Sequence, residues 1–174
     1  RGRDIKRYAY NWAGLWVIGT FPALHLDIED YPSLKKYFLD HFDIRQLEQS
    51  GKKYPELGFD ARKKTTNEWF ETQDPIAYYP EFEKEKVAFK AVGKNLAFGI
   101  IPAGVMITAP ASFMTSSNNK YILGFLCSKY ALYFILNNAD KTGAGDVMLN
   151  VQSFEKIPIP PISAANEPQV RQIE

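Results

Sequence analysis

Apolar residues in this chain fall into short blocks separated by glycine, proline and charge, and the spacing inside each block assigns its element. Leu15-Trp16-Val17-Ile18, closed by Gly19, is short and partly β-branched, the pattern of a buried strand. Pro32 opens a helix, since proline is tolerated where the first N–H lacks an intrahelical acceptor. Leu34, Phe38, Phe42 and Leu47 then recur at near-helical steps, predicting an amphipathic rod to about Gln49 with Gly51 as its stop. The following stretch is poor in apolar residues and holds a proline and a glycine, which predicts a long surface loop. From Trp69 onward Lys86-Val87-Ala88-Phe89-Lys90 alternates crudely, and Gly99-Ile100-Ile101 and Gly104-Val105-Met106-Ile107-Thr108 are punctuated by Pro102 and Pro110, so short strands are expected. Asn119 is placed to cap a helix from about Lys120 to Asn137. Ile122, Leu126, Tyr130, Tyr133 and Phe134 repeat along it at helical spacing, and its nearly all-round apolarity predicts a central position in the core. Gly143-Ala144-Gly145 reads as a turn, Met148 to Val151 as one more strand, and Ile157-Pro158-Ile159-Pro160-Pro161-Ile162 as an extended exit. Residues 163–174 look like the start of a trailing helix or linker. The expected fold class is α+β: one domain over 1–174, short-stranded mixed sheets and two main helices.

With 174 residues, 45% hydrophobic and 14% aromatic, the chain can bury a sizeable core without metals or disulfides. Cys127, the one cysteine, sits in an apolar run with no histidine near it in sequence, the setting of a buried thiol rather than a nucleophile. A reducing, cytoplasmic location fits this. No apolar run approaches the ~18 residues of a membrane span, and no signal-peptide order is visible, so no membrane partner is expected. Arg1 and the helix-like last residues give the look of a C-terminal piece cut from a larger protein. The net charge of +1 is low for a nucleic-acid binder, so a binding face has to come from uneven placement. Between Gly51 and Lys64 five bases (Lys52, Lys53, Arg62, Lys63, Lys64) meet two acids, whereas between Asp27 and Asp43 five acids meet two lysines.

Catalytic chemistry is hard to find. Neither an Asn-Pro-Pro-Tyr type motif nor a glycine-rich methyl-donor loop is present. Metal-dependent nucleases need an acid followed by acid-x-Lys on a neighbouring strand. Asp4-Ile5-Lys6 lacks the preceding acid, and Glu83-Lys84-Glu85-Lys86 lacks the spacing, so both read as solvated surface charge. Lys141-Thr142-Gly143-Ala144-Gly145 has the residues of a phosphate-binding loop in the wrong order. His25 and His41 show no zinc-ligand spacing. The expected catalytic and metal residues of this chain are therefore none.

Four stretches, in order, resemble the TaqI-like C-terminal specificity domain of type IIG restriction-modification enzymes and related adenine-specific DNA methyltransferases. Gly2-Arg3-Asp4-Ile5-Lys6-Arg7-Tyr8 is similar to the family's opening motif. Tyr31-Pro32-Ser33-Leu34-Lys35-Lys36-Tyr37 resembles the start of its first long helix, followed by a basic loop and the Trp69-Phe70-Glu71 group. Lys120 to Lys129 resembles its helix pattern, with Cys127 where Asn is usual, and Phe154-Glu155-Lys156-Ile157-Pro158-Ile159-Pro160 its ending. Together they span residues 2–160; Thr72, where Leu is commoner, is a second departure.

That resemblance implies a non-catalytic target-recognition domain that positions a separate N-terminal methyltransferase domain of the same polypeptide on double-stranded DNA in a bacterial restriction-modification system. The domain itself would hold no cofactor; the parent would use S-adenosylmethionine, and Mg²⁺ where it carries an endonuclease. Lysine and arginine would neutralise phosphates, and loop side chains would read base edges in the major groove. The candidate DNA-binding residues are Lys52, Lys53, Arg62, Lys63, Lys64, Thr65 and Asn67, then Lys141 and Thr142, then Arg3 and Arg7; Ser116 to Lys120 is a further candidate loop. Arg3, Lys6 and Arg7 could equally pin the linker to the partner domain. Trp69 and Phe70 are either base-stacking residues or core, the core being favoured. Two other readings stay open: a recognition module of a type I specificity subunit, and a protein-interaction module that never touches DNA.

Overall fold

Residues 1–173 are described by a computed structural model. The chain divides into two compact units, one formed by Trp16–Tyr79 and the other by Arg1–Leu15 together with Pro80 onward.

The contiguous unit holds α1 (Pro32–His41), α2 (Ile44–Leu47), β1 (Lys53–Tyr54) and β2 (Phe59–Asp60). Pro32 starts α1 as expected, but the rod does not run to Gln49. It ends at His41, and Asp43 caps α2 by accepting from the Arg45 main-chain N–H at 2.9 Å. A short polar side chain that offers the backbone an acceptor starts a new helix rather than continuing an old one. The expected surface loop contains a hairpin, β1 against β2, with Tyr54 directly opposite Phe59 and their rings 5.9 Å apart. Leu15 to Ile18 form no strand and are exposed, Trp16 being 89% accessible. Phe70 is buried and Trp69 half-buried, meeting Phe38 and Phe70 edge-on at 6.2 and 5.6 Å, so both serve packing.

The second unit is built round β3 (Lys86–Lys90), the centre of an antiparallel three-stranded sheet. β4 (Val92–Gly93) follows it; β5 (Phe98–Ile101) and β6 (Ala111–Met114) are its two neighbours in that sheet. Next come α3 (Asn119–Leu126), α4 (Lys129–Asn138), β7 (Asp140–Lys141), β8 (Val147–Met148), α5 (Val151–Phe154) and α6 (Glu167–Ile173); β4, β8 and β7 pair in that order as a second antiparallel sheet. The architecture is α+β. β3 alternates as its sequence suggests, but both faces are covered. Val87 and Phe89 pack with Leu123, Leu126, Ile135, Val147, Leu149 and Ile157, while Ala88 packs with Ile5 and Ile101 on the other side. Each large side chain fully buried there contributes roughly 1.5–3 kcal/mol.

The expected continuous helix from Lys120 to Asn137 is interrupted at Cys127-Ser128. Ser128 accepts from the Ala131 N–H at 3.2 Å and so caps α4. The break lets α4 expose one side, with Tyr130, Leu132, Tyr133 and Leu136 accessible, against the expectation of burial all round. Asn118 stands at the N-cap of α3 instead of Asn119, whose buried amide donates to the Glu85 carbonyl at 2.9 Å. Val147–Met148 replaces the expected strand to Val151, which opens a helical turn capped by Asn150.

The N-terminal segment closes this unit. Tyr8 N–H donates to Phe98 O at 2.8 Å and Ile100 N–H to Tyr8 O at 3.3 Å. A Cβ at Gly99 would lie 2.1 Å from Ala9 O, so only glycine admits the segment.

Candidate nucleic-acid interface

Lys52, Lys53, Lys63 and Lys64 lie on the two arms of the hairpin in the contiguous unit. Lys53 faces Asp60 in the register, the Ala61 N–H donates to Lys52 O at 2.8 Å, and the Gly51 N–H donates to Arg62 O at 2.9 Å. The Lys64 Cβ would stand 3.3 Å from a Cβ at Gly51, so the two basic ends of the sequence run are neighbours in space. All four lysines are exposed. Among the described residues none is paired with a carboxylate.

Arg62 has a different role from these lysines. Its guanidinium donates Nε and Nη2 to Leu47 O, Nη2 also to Trp69 O, and Nη1 to Glu71 O at 2.8 Å. Burial pulls its pKa below the ordinary guanidinium value. Four of its five N–H vectors are spent on main-chain carbonyls, so it ties the hairpin base to the 69–71 turn instead of facing solvent. Thr65 and Asn67 are spent in the same way. Thr65 Oγ1 donates to Gln49 Oε1 at 2.7 Å, and Asn67 Nδ2 donates to Thr72 O and Gln73 O, both at 3.0 Å.

Gln49, which the sequence pattern marked only as a helix end, is the hub of this arrangement. It is buried at 6% exposure, and its Nε2 donates to Glu68 O and Glu71 O at 3.0 Å. The lysine arms thus spring from a polar base in which Gln49, Arg62, Thr65 and Asn67 each donate to an acceptor.

The remaining candidates belong to the other unit. Arg3 is exposed, 3.9 Å from Asp4. Arg7 donates Nη2 to Cys127 O at 2.9 Å and lies over the Tyr8 ring. Lys141 is exposed on β7, and Thr142 Oγ1 accepts from Asp146 N–H at 3.0 Å, shaping the turn to β8. Ser116 to Lys120 precede and open α3, where Ser116 Oγ accepts from Asn118 N–H at 3.1 Å.

Among the described residues no group of three His, Cys, Asp or Glu side chains is placed to hold a metal ion, and no helix is long and apolar enough to cross a membrane. Burial pushes the Cys127 thiol up, which works against a thiolate nucleophile. Lys86 overturns its reading as surface charge. It is fully buried, and its Nζ donates to Phe82 O, Pro102 O and Val105 O at 2.9, 3.0 and 3.3 Å.

The class of object defined by this geometry is an α+β chain that presents, on a braced hairpin, four exposed lysines with no carboxylate partner among the described residues. No family model matches the chain. It is similar to the type II methyltransferase M.BstVI of Geobacillus stearothermophilus, with 26% identity over 181 residues; the match covers 97% of this chain and 29% of that protein. The chain therefore corresponds to a part of a methyltransferase-related protein and spans under a third of that relative's length.

Proposed function

We propose that this chain is the DNA target-recognition domain of a bacterial restriction-modification enzyme or adenine-specific DNA methyltransferase, and that it places a separate methyltransferase domain of the same polypeptide on duplex DNA. The observation that carries the reading is the gathering of Lys52, Lys53, Lys63 and Lys64 on one hairpin with no carboxylate bonded to them, in a chain whose relative is a type II methyltransferase. Exposed, unpaired ammonium groups on a braced loop suit phosphates, because releasing condensed counterions from DNA favours association without desolvating a buried ion pair. S-adenosylmethionine, and Mg²⁺ if a nuclease is present, belong in this reading to the rest of the parent protein, and methyl transfer to its flipped adenine. The type IIG assignment and the cytoplasmic setting are part of the same proposal.

The test is a polarisation titration of labelled duplex against the 174-residue chain at several salt concentrations. The wild type should bind with a steep salt slope. Lys63→Ala with Lys64→Ala should flatten that slope by about two units for every duplex sequence. Absence of duplex binding even at low salt would overturn the reading.

A further inference from the structure

The β4–β8–β7 sheet brings together two turns that are 48 residues apart in sequence, from Gly93 to Lys141. Gly93 pairs with Val147, and Lys141 pairs with the same Val147 from the other side. β4 and β7 both run antiparallel to β8, so both leave the sheet at the end where β8 begins. The residues that follow them, Lys94-Asn95 and Thr142-Gly143-Ala144-Gly145, therefore project from one end of one small sheet.

The chemistry of that end is specific. Lys94, Asn95, Lys141, Gly143, Ala144 and Gly145 are all exposed, and neither lysine is bonded to a carboxylate among the described residues. Asp140 pairs across from Met148 at the opposite end of the sheet, where its carboxylate accepts from Asn150 Nδ2 at 3.3 Å. Asp146 is the acid that stands at the base of the turn, half-buried, with its main chain bonded to Thr142. Gly143 adds an independent observation. Its backbone lies outside the left-handed region, and a Cβ there would meet nothing within 4 Å. Neither conformation nor internal packing demands glycine at this position. A bare backbone there leaves room for a close approach from outside the molecule.

We infer that this sheet end is a second DNA-contacting surface, in which Lys94 and Lys141 neutralise phosphates and the Gly143 backbone admits the sugar-phosphate chain. The inference rests on the DNA-recognition reading and adds to it a site on the other compact unit, including two residues, Lys94 and Asn95, that the charge pattern of the sequence did not single out. Lys94 lies between Gly93 and Asn95, outside any basic run, and the strand register brings it to the same end of the sheet as Lys141.

The deciding experiment repeats the duplex titration with the full 174-residue chain in three variants. Lys94→Ala with Lys141→Ala should lower the slope of log binding constant against log salt by about two units, since each phosphate contact contributes about 0.9. Asp146→Asn should tighten binding at low salt. Gly143→Val should weaken binding while leaving the thermal midpoint unchanged, a combination that a purely structural glycine would not give. A wild-type slope in the double lysine variant, alongside a flattened slope in the Lys63 and Lys64 variant, would overturn this second surface and leave the hairpin reading intact. Failure of the wild type to bind duplex would overturn both.

Discussion

Arg7 donates a hydrogen bond to the main-chain oxygen of Cys127, 2.9 Å away and 120 residues distant in sequence. Cys127 is the C-cap of α3, where main-chain carbonyls lack intrahelical donors and the helix dipole favours a cation. The contact also joins two of the stretches that carry the family resemblance, Gly2–Tyr8 and Lys120–Lys129. A third, Phe154–Pro160, joins them: Tyr121 OH donates to Pro160 O at 3.0 Å, and the Phe154 ring stacks on Phe89 at 4.4 Å. Those motifs are therefore tied to one another by packing.

Arg7→Ala should cost about 1 kcal/mol of stability by removing a charge at a helix C-terminus. Urea unfolding measures it. A loss of DNA affinity with unchanged stability would instead support the reading of Arg7 as a DNA contact.

Lys86→Met leaves Pro102 O and Val105 O without their donor and should destabilise the chain by roughly 3 kcal/mol. Burial lowers the Lys86 pKa from its ordinary 10.5. Between the lowered folded value and 10.5 the unfolded chain binds more protons, so this residue's contribution to stability becomes more favourable as pH rises through that window. Denaturant midpoints measured across alkaline pH should show this slope in the wild type and lack it in Lys86→Met.

Asp43 is held to a pKa of about 2 by the Arg45 guanidinium and main-chain N–H. The folded value is depressed, so its contribution is present above the unfolded value near 3.8 and is lost as pH falls towards 2. Carboxyl-carbon NMR should show Asp43 ionised well below the range of ordinary aspartates, and Arg45→Gln should move its titration upward.

Gly99→Ala would drive a methyl group into Ala9 O and should either prevent folding or release the N-terminal segment. Hydrogen exchange at the Tyr8 and Ile100 amides reports the release. Protected amides in a stable Gly99→Ala protein would contradict the contact.

Local signals in the sequence carried much of this fold. Pro32 started its helix, Gly143-Ala144-Gly145 made a turn, the Ile157–Ile162 segment stayed irregular, and the trailing residues became α6. Apolar spacing alone misplaces helix ends where a capping side chain intervenes. Asp43 and Ser128 each start a new helix just after the one before it has ended, and both were visible as short polar residues inside an apolar pattern. The apolar run Leu15–Ile18 had the composition of a strand, but none of the strands among the described residues includes it, and sheet pairing is something no local rule supplies. The candidate interface was legible as charge and not as role. Four lysines of the basic run are exposed, while Arg62, Thr65 and Asn67 turned their donors onto carbonyls that only tertiary structure brings near. Gln49 and Lys86 were unreadable for the same reason, since a buried polar residue is recognised by its acceptors.

The unit from Trp16 to Tyr79 is contiguous, whereas the other is assembled from both sides of it. During synthesis all residues of the contiguous unit are present once Tyr79 is made, but Tyr8 must wait for Phe98 and Arg7 for Cys127. The lysine-bearing hairpin thus belongs to the unit that is continuous in sequence, while the unit built from both flanks is held by contacts that span that whole stretch.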